Sequence, residues 1–282
     1  MRSGKGCCNG TFGELVQGQL GDRPFLITLP IQGLRSEALF IPDPTLSEIL
    51  GENSKSKAKK AAKYLLQFYG LQWGGRLEIC SNIPEGKGMA SSSADIVATL
   101  KAIANSFSIP LSKETISKIA AKIEPTDGIM YEEVVAYDHI HGEWIESFGF
   151  LPPYTLVGLD LGGTINTIEH NQIKKTYSEQ DKDQLIVAYD LIKEGFRQNN
   201  ISYICKAATI SASINQKILP KPIFNQLKML AEQVQGGVVV AHSGTVAGIM
   251  MDHNIAKKKE VISCILTEFP TIQMLGPFHN TE

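Results

Sequence analysis

Residues 83–95 read Ile-Pro-Glu-Gly-Lys-Gly-Met-Ala-Ser-Ser-Ser-Ala-Asp, and this run limits the available folds more than any other stretch. A loop rich in Gly and Ser, residues 86–93, opens straight into a helical pattern. Ile96, Val97, Leu100, Ile103, Ala104 and Phe107 recur at helical spacing and predict a helix with one buried face. Just upstream, residues 76–80 alternate, with Leu77 and Ile79 on one side, as a strand does. The implied order is strand, small-residue loop, helix N-terminus.

That order has a physical use. The first four backbone N–H groups of a helix have no internal partner, and the helix dipole makes that end positive. Gly86 and Gly88 let the backbone approach a ligand closely. Ser91, Ser92 and Ser93 can cap the helix, donate to phosphate oxygens or face a metal ion. Together they make an anion site suited to a phosphate. A capped helix after an ordinary loop fits the same residues, so loop chemistry alone leaves both readings open. The run is neither a Walker A sequence nor a dinucleotide fingerprint, because Met-Ala-Ser-Ser-Ser follows the second glycine.

Composition narrows the class. A chain of 282 residues that is 43% hydrophobic and 20% charged has material for a core and is not a disordered segment. A formal net charge of −2 argues against nucleic acid as the main partner. The five cysteines (Cys7, Cys8, Cys80, Cys205, Cys264) are scattered, without a C-x-x-C, which predicts neither a disulfide framework nor a zinc site. No apolar run approaches the roughly 20 residues of a membrane span, and the first residues lack the apolar core of a signal peptide. The expectation is a reduced, cytoplasmic enzyme with no membrane partner.

Elsewhere the pattern alternates between strands and helices. Residues 25–34 read as a core strand. Residues 55–69 read as a basic amphipathic helix with Ala58, Ala61, Ala62, Leu65 and Phe68 inward and Gly70 at its end. Its Lys57, Lys59, Lys60 and Lys63 fit either an anionic ligand or a solvated helix face, and the solvated face is the reading taken. Ser112 is a good N-cap for a helix that buries Ile116, Ile119, Ala120 and Ile123 and must stop near Glu124, since Pro125 follows. Asp127-Gly128 then reads as a turn. Short strands are expected at 134–137 and 144–148, with His139 and His141 as exposed turn residues. His170, Lys174 and Lys175 follow a strand at 154–161, and the sequence does not decide whether this polar loop lies near a ligand. A boundary at Leu151-Pro152-Pro153 divides the chain into residues 1–150 and 151–282. The second part carries helices near 181–197, 201–215 and 222–235. Strands at 238–241 and 246–251 flank a turn, His242-Ser243-Gly244-Thr245, and a helix near 256–268 and a strand at 272–275 follow. The fold class is α+β.

On its residues, Pro84-Glu85-Gly86-Lys87-Gly88-Met89-Ala90-Ser91-Ser92-Ser93-Ala94 resembles the second motif of the GHMP kinases, with Met89 where Leu is usual. Residues 7–18, Cys-Cys-Asn-Gly-Thr-Phe-Gly-Glu-Leu-Val-Gln-Gly, resemble the first motif. Thr11 stands about where many relatives carry a cation, and Asn9 where proline is expected. Residues 241–248 resemble the third motif. All three, with Glu-Pro-Thr-Asp at 124–127, look like the family's L-threonine kinase branch, which serves cobalamin biosynthesis.

The resemblance spans nearly the whole chain and implies a ribosomal-S5-like N-terminal domain that binds ATP and a ferredoxin-like C-terminal domain. It implies transfer of phosphate from ATP to the hydroxyl of a small amino acid, L-threonine in this branch. Another small alcohol, or a ligand-binding homologue without turnover, stays open. Residues 84–93 would hold ATP, and Ser243, Gly244 and Thr245 would touch phosphate or substrate. Ser92 and Glu124 would hold Mg²⁺. Asp127 would face the substrate hydroxyl as the catalytic carboxylate, and Glu14 would contact substrate or organise the site. Oligomeric state is not set by the sequence, with a homodimer one option.

Overall fold

A long hairpin is the spine of the molecule. In the computed structural model, which describes residues 2–163 and 176–280, strand β1 (Gly4–Leu20) folds back on β2 (Arg23–Asp43) through a tight turn at Gly21, whose φ is +59°. The second strand is longer than the expected 25–34. It changes partners along its length, taking β4 (Gly74–Ser81) beside residues 36–43 and β5 (Val134–Asp138) beside Leu26 and Ile27. The remaining strands are β3 (Ile49–Leu50), β6 (Glu143–Gly149), β7 (Tyr154–Asp160), β8 (Gly237–Val240), β9 (Val246–Asp252) and β10 (Gln273–His279). They run in the order β10-β7-β9-β8-β1-β2-β4-β3, with β5 branching from β2 to carry β6. All neighbours are antiparallel except β3 and β4.

Helices α1 (Ser56–Phe68), α2 (Ser91–Phe107) and α3 (Lys113–Ile123) belong to the first part of the chain. The second part carries α4 (Glu179–Arg197), α5 (Ile201–Asn215), α6 (Phe224–Glu232) and α7 (Lys258–Glu268). The proposed division at 150/151 falls between β6 and β7, while the sheet runs through both parts. Chain and fold are mixed α+β, as the sequence pattern implies.

Helix α2 is the buried one. Ile96, Val97, Leu100 and Ile103 are fully enclosed, each worth roughly 1.5–3 kcal/mol of burial. The helix lies so close to β1 that a Cβ on Gly6 would come 2.2 Å from the Ala98 carbonyl. On α1 the inward set is Ala58, Ala61, Ala62, Leu65 and Leu66, whereas Phe68 is 67% exposed. The expected Phe68 position fails because the buried stripe runs through 58, 61, 62, 65 and 66, and Phe68 falls beside it on the solvent side. Helix α4 starts at a capping box between Ser178 and Asp181. Among the described residues, no helix is long and apolar enough to cross a membrane.

Candidate active site

A cavity of about 340 Å³ opens at the N-terminal end of α2, walled by the loop before it, the first turn of α1, the end of α3 and the turn after β8. The loop bends through Gly86 (φ +71°) and Gly88 (φ +80°). A side chain at Gly88 would meet Ala241 Cβ at 2.6 Å and Gly244 Cα at 2.9 Å, so the loop lies flat against the turn of the second part. Ala90, not a serine, is the N-cap of α2. Its backbone is left-handed (φ 59°) and it offers no capping oxygen. The first-turn N–H groups therefore look to water or a ligand in the cavity. Ser91, Ser92 and Ser93 form the first turn itself, with Ser93 buried.

Two carboxylates enter from the end of α3. Glu124 is its C-cap, turned extended (φ −162°, ψ 158°) because Pro125 follows. One of its oxygens accepts from Ser92 Oγ at 2.5 Å and the other from Lys57 Nζ at 2.5 Å. Asp127 lies half-buried three residues on. Removal of its carboxyl from solvent, joined by the negative charge of Glu124, pushes its pKa up to about 7. Thr126 is fixed by its N–H to the His139 carbonyl at 3.0 Å, which holds the 124–127 segment against the end of β5.

The floor comes from β1. Its register on β2 slips between Asn9 and Thr11, Thr11 and Glu14, and Glu14 and Val16. Such bulges re-aim side chains, and here they bring Glu14 to the cavity wall opposite Val240 of β8. Thr11 N donates to the Met89 carbonyl at 3.2 Å, tying this strand to the glycine loop. His139 and His242 meet edge to face with ring centroids 5.0 Å apart, and His242 Nδ1 lies 2.8 Å from Gln17 Oε1.

The structure sorts the expected site residues. Glu14, Glu85, Gly86, Gly88, Met89, Ala90, Ser91, Ser92, Ser93, Glu124, Asp127 and Ser243 line the cavity. Pro84, Lys87, Gly244 and Thr245 do not. Lys87 turns away from the cavity and pairs with Asp160 Oδ2 at 2.8 Å while donating to the Gly163 carbonyl at 2.7 Å. Thr245 Oγ1 donates to the other oxygen of Asp160 at 2.8 Å, and Lys221 Nζ donates to the Gly244 carbonyl. The expected His170, Lys174 and Lys175 lie outside the described residues.

Two sequence expectations change. His139 is buried in the cavity wall rather than exposed; only His141 is, bonded to Asp138. The lysines of α1 are not one solvated face. Lys57 holds Glu124, Lys59 Nζ donates to the Gly51 carbonyl at 3.3 Å, and Lys60 and Lys63 stay in solvent, while Lys55, the N-cap of the helix, bridges Glu85 (2.7 Å) and Asp95 (2.8 Å). Asp160 carried no expectation at all. A lysine at the start of the apolar stripe of α1 was the available signal for Lys57. Asp160, at a strand end, had none.

The donor set suits a hard divalent cation, since a serine hydroxyl and a carboxylate oxygen meet in the cavity. Among the described residues no three His, Cys, Asp or Glu side chains are arranged to hold a metal alone. Mg²⁺ commonly uses one or two carboxylates plus substrate phosphates, so Ser92 and Glu124 fit it.

Residues 56–130 match the family description "GHMP kinases N terminal domain". The chain is 31% identical over 259 residues to an L-threonine kinase of Salmonella typhimurium, covering 89% of this chain and 85% of that protein. It is 30% identical over 253 residues to an L-threonine kinase of Citrobacter freundii, covering 88% and 86%. Among solved structures it is similar to homoserine kinase from Cytophaga hutchinsonii, with TM-score 0.75, 15% identity and coverage of 98% of this chain and 93% of that one. Mevalonate kinase of Methanococcus jannaschii gives TM-score 0.67 at 18% identity, covering 97% and 96%.

Proposed function

The chain belongs to the GHMP kinase family, and from that premise we propose that it transfers the γ-phosphoryl group of ATP to the side-chain hydroxyl of L-threonine. The coarser part, an ATP-dependent kinase acting on a small hydroxylated amino acid, follows from its relatives. The observation that carries the site is the meeting of three groups in one cavity. These are the uncapped start of α2, the Ser92–Glu124 pair and the Asp127 carboxyl.

Each has a task. The phosphate chain lies against the first-turn N–H groups of α2, where the helix end and the bent glycine loop favour negative charge. Ser92 and Glu124 would hold Mg²⁺, which supplies charge neutralisation across the phosphates. Asp127 accepts the hydroxyl proton as the new bond forms from the substrate oxygen to the γ-phosphorus. The bond from that phosphorus to the bridging oxygen breaks, and ADP leaves with the electron pair. A base with a pKa near 7 is matched to neutral pH, and such help is worth about 10²–10⁴-fold. Glu14 and the two histidines form the wall left for the acceptor. The proposed setting is the cytoplasm.

The experiment is ADP release with Mg·ATP against a panel of free hydroxy amino acids and small alcohols. Strong turnover with L-threonine, and weak turnover with serine and homoserine, is expected. Turnover elsewhere with silence on threonine would move the acceptor. Silence across the panel would overturn the reading.

A further inference from the structure

The cavity's charges do not balance for a polyanionic ligand. Five carboxylates line it, Glu14, Glu85, Asp95, Glu124 and Asp127, against two lysines, Lys55 and Lys57. A triphosphate brings still more negative charge, so cationic donors are what the site must supply.

The two lysines are not equivalent. Lys55 is spent on Glu85 and Asp95, and Asp95 is further fixed by Ser36 Oγ at 2.5 Å. Its side chain is 14% exposed. Lys57 holds one carboxylate oxygen, Glu124 Oε2, and its side chain is 36% exposed. An ammonium has three N–H donors, and Glu124 takes one of them.

Its place on α1 is also unusual. Lys57 shares a helix face with Ala61 and Leu65, the buried stripe that packs α1 onto the core. It is the second residue of the helix, whose first turn carries no acid. A cation there opposes the helix dipole by about 0.3–1 kcal/mol. The helix itself gains nothing from this lysine, which is aimed at the cavity.

We infer that Lys57 is a catalytic residue that contacts the transferring phosphoryl group of a nucleoside triphosphate while the same ammonium keeps Glu124 in place beside Ser92. This rests on the kinase reading above. In a loose transition state charge spreads over the equatorial oxygens of the moving group, and a point charge with spare donors stabilises it without changing the reaction. Lys55, the other lysine that lines the cavity, gives two of its three donors to Glu85 and Asp95 and is the less exposed of the two, so Lys57 keeps more of its donors for a ligand.

The test compares wild type with Lys57→Met and Lys57→Arg. Binding of ATP and of ADP is measured by calorimetry in EDTA, without acceptor, and kcat is measured with Mg·ATP. Met is expected to weaken ATP about tenfold and ADP less than twofold, and to lower kcat about 100-fold. Arg should recover most of both, since it keeps the charge and the donors. Equal weakening of ATP and ADP, or a kcat within about threefold of wild type, would overturn the inference. Where the Met variant does not fold, Lys57→Gln keeps a hydrogen bond to Glu124 and serves the same comparison. A wild type that turns over no acceptor sinks the kinase reading, and the metal-free ATP-against-ADP comparison still decides whether Lys57 touches the terminal phosphate.

Discussion

Two lysine–carboxylate pairs flank the glycine loop and do opposite things. Lys57 and Glu124 face into the cavity, and Lys87 and Asp160 face away from it. The second pair is saturated. Asp160 also accepts from Thr245 Oγ1 and from Gly162 N at 3.0 Å. Burial pulls its pKa upward, but the donors Lys87, Thr245 and Gly162 outweigh that and hold it below the usual carboxylate value. The first pair leaves chemistry unfinished. Its ammonium keeps donors, and the negative charge of Glu124 helps drive the neighbouring Asp127 up to about 7. The same ion-pair chemistry thus makes a reactive wall in one place and a fastening in the other. The fastening joins the loop before α2 to the turn after β8, where Thr245 N also donates to the Lys87 carbonyl at 3.1 Å. Damage on the cavity side should fall on the chemical step, and damage on the outer side on the hold over ATP.

The largest effect is expected at Asp127. Asp127→Asn should lower kcat by about 10²–10⁴-fold and leave the KM for ATP nearly unchanged. The wild-type kcat should climb as pH rises through about 7, where this carboxyl loses its proton, and the Asn variant should lose that limb. Stability runs the other way. The folded pKa is raised from an ordinary 3.8, so the stability this group contributes is complete below 3.8 and is lost as pH rises through about 7. Denaturant unfolding at pH 5 and pH 8 should therefore show wild type losing ground to the variant at the higher pH. An unchanged kcat would remove Asp127 from the chemistry and erase the contrast between the two pairs.

A middling effect is expected at Asp160. Asp160→Asn strips Lys87 of its counter-charge and releases Thr245. The KM for ATP should rise about tenfold with kcat within about fivefold, the split that marks lost ground-state binding. The melting temperature should fall by a few degrees, about 1–2 kcal/mol for a broken charged hydrogen bond. If kcat instead collapses with KM unchanged, Asp160 belongs with the cavity residues and the distinction fails.

What was legible in the sequence follows the same divide. The glycine loop, the start of α2 and the stop of α3 at Pro125 were readable because each is a local matter of backbone conformation. Glu85, Ser91, Ser92, Ser93, Glu124 and Asp127 reach the cavity by that local geometry alone. Lys87 and Asp160 were not readable. Their pairing joins residues far apart in sequence, set by how β7 meets the loop, and nothing in residues 84–93 points a lysine outward. Lys57 was passed over for a different reason, although an anionic ligand was one reading of its cluster. It sits among several lysines, and composition reads such a run as a wet surface until the end of α3 is placed against it. His139 was misjudged likewise, since its turn looks polar and only the packing of β5 under the cavity buries it. The hairpin was half seen, because the bulges in β1 break the alternation that marks a strand.

The smallest effect is expected at Lys221, which tests whether the fastening depends on one carboxylate or on everything near the turn. Lys221 is buried, 5% exposed, with its ammonium on the Gly244 carbonyl, and burial pulls its pKa down to about 8. Lys221→Met removes that charged donor, a loss of about 1.5–3 kcal/mol, and also removes the cost of enclosing a charge, which is of similar size. These oppose each other, so stability at pH 7 should move by less than about 1 kcal/mol. Because the folded pKa lies below the ordinary 10.5, the lysine's contribution is complete above 10.5 and is lost as pH falls through about 8. Wild type should therefore gain on the variant between pH 7 and pH 9.5, read by denaturant unfolding at both. The KM for ATP should change less than about threefold, since the Lys87 carbonyl still takes the N–H groups of Thr245 and Val246. A larger rise in that KM than Asp160→Asn produces would move control of the turn from the carboxylate to the buried lysine.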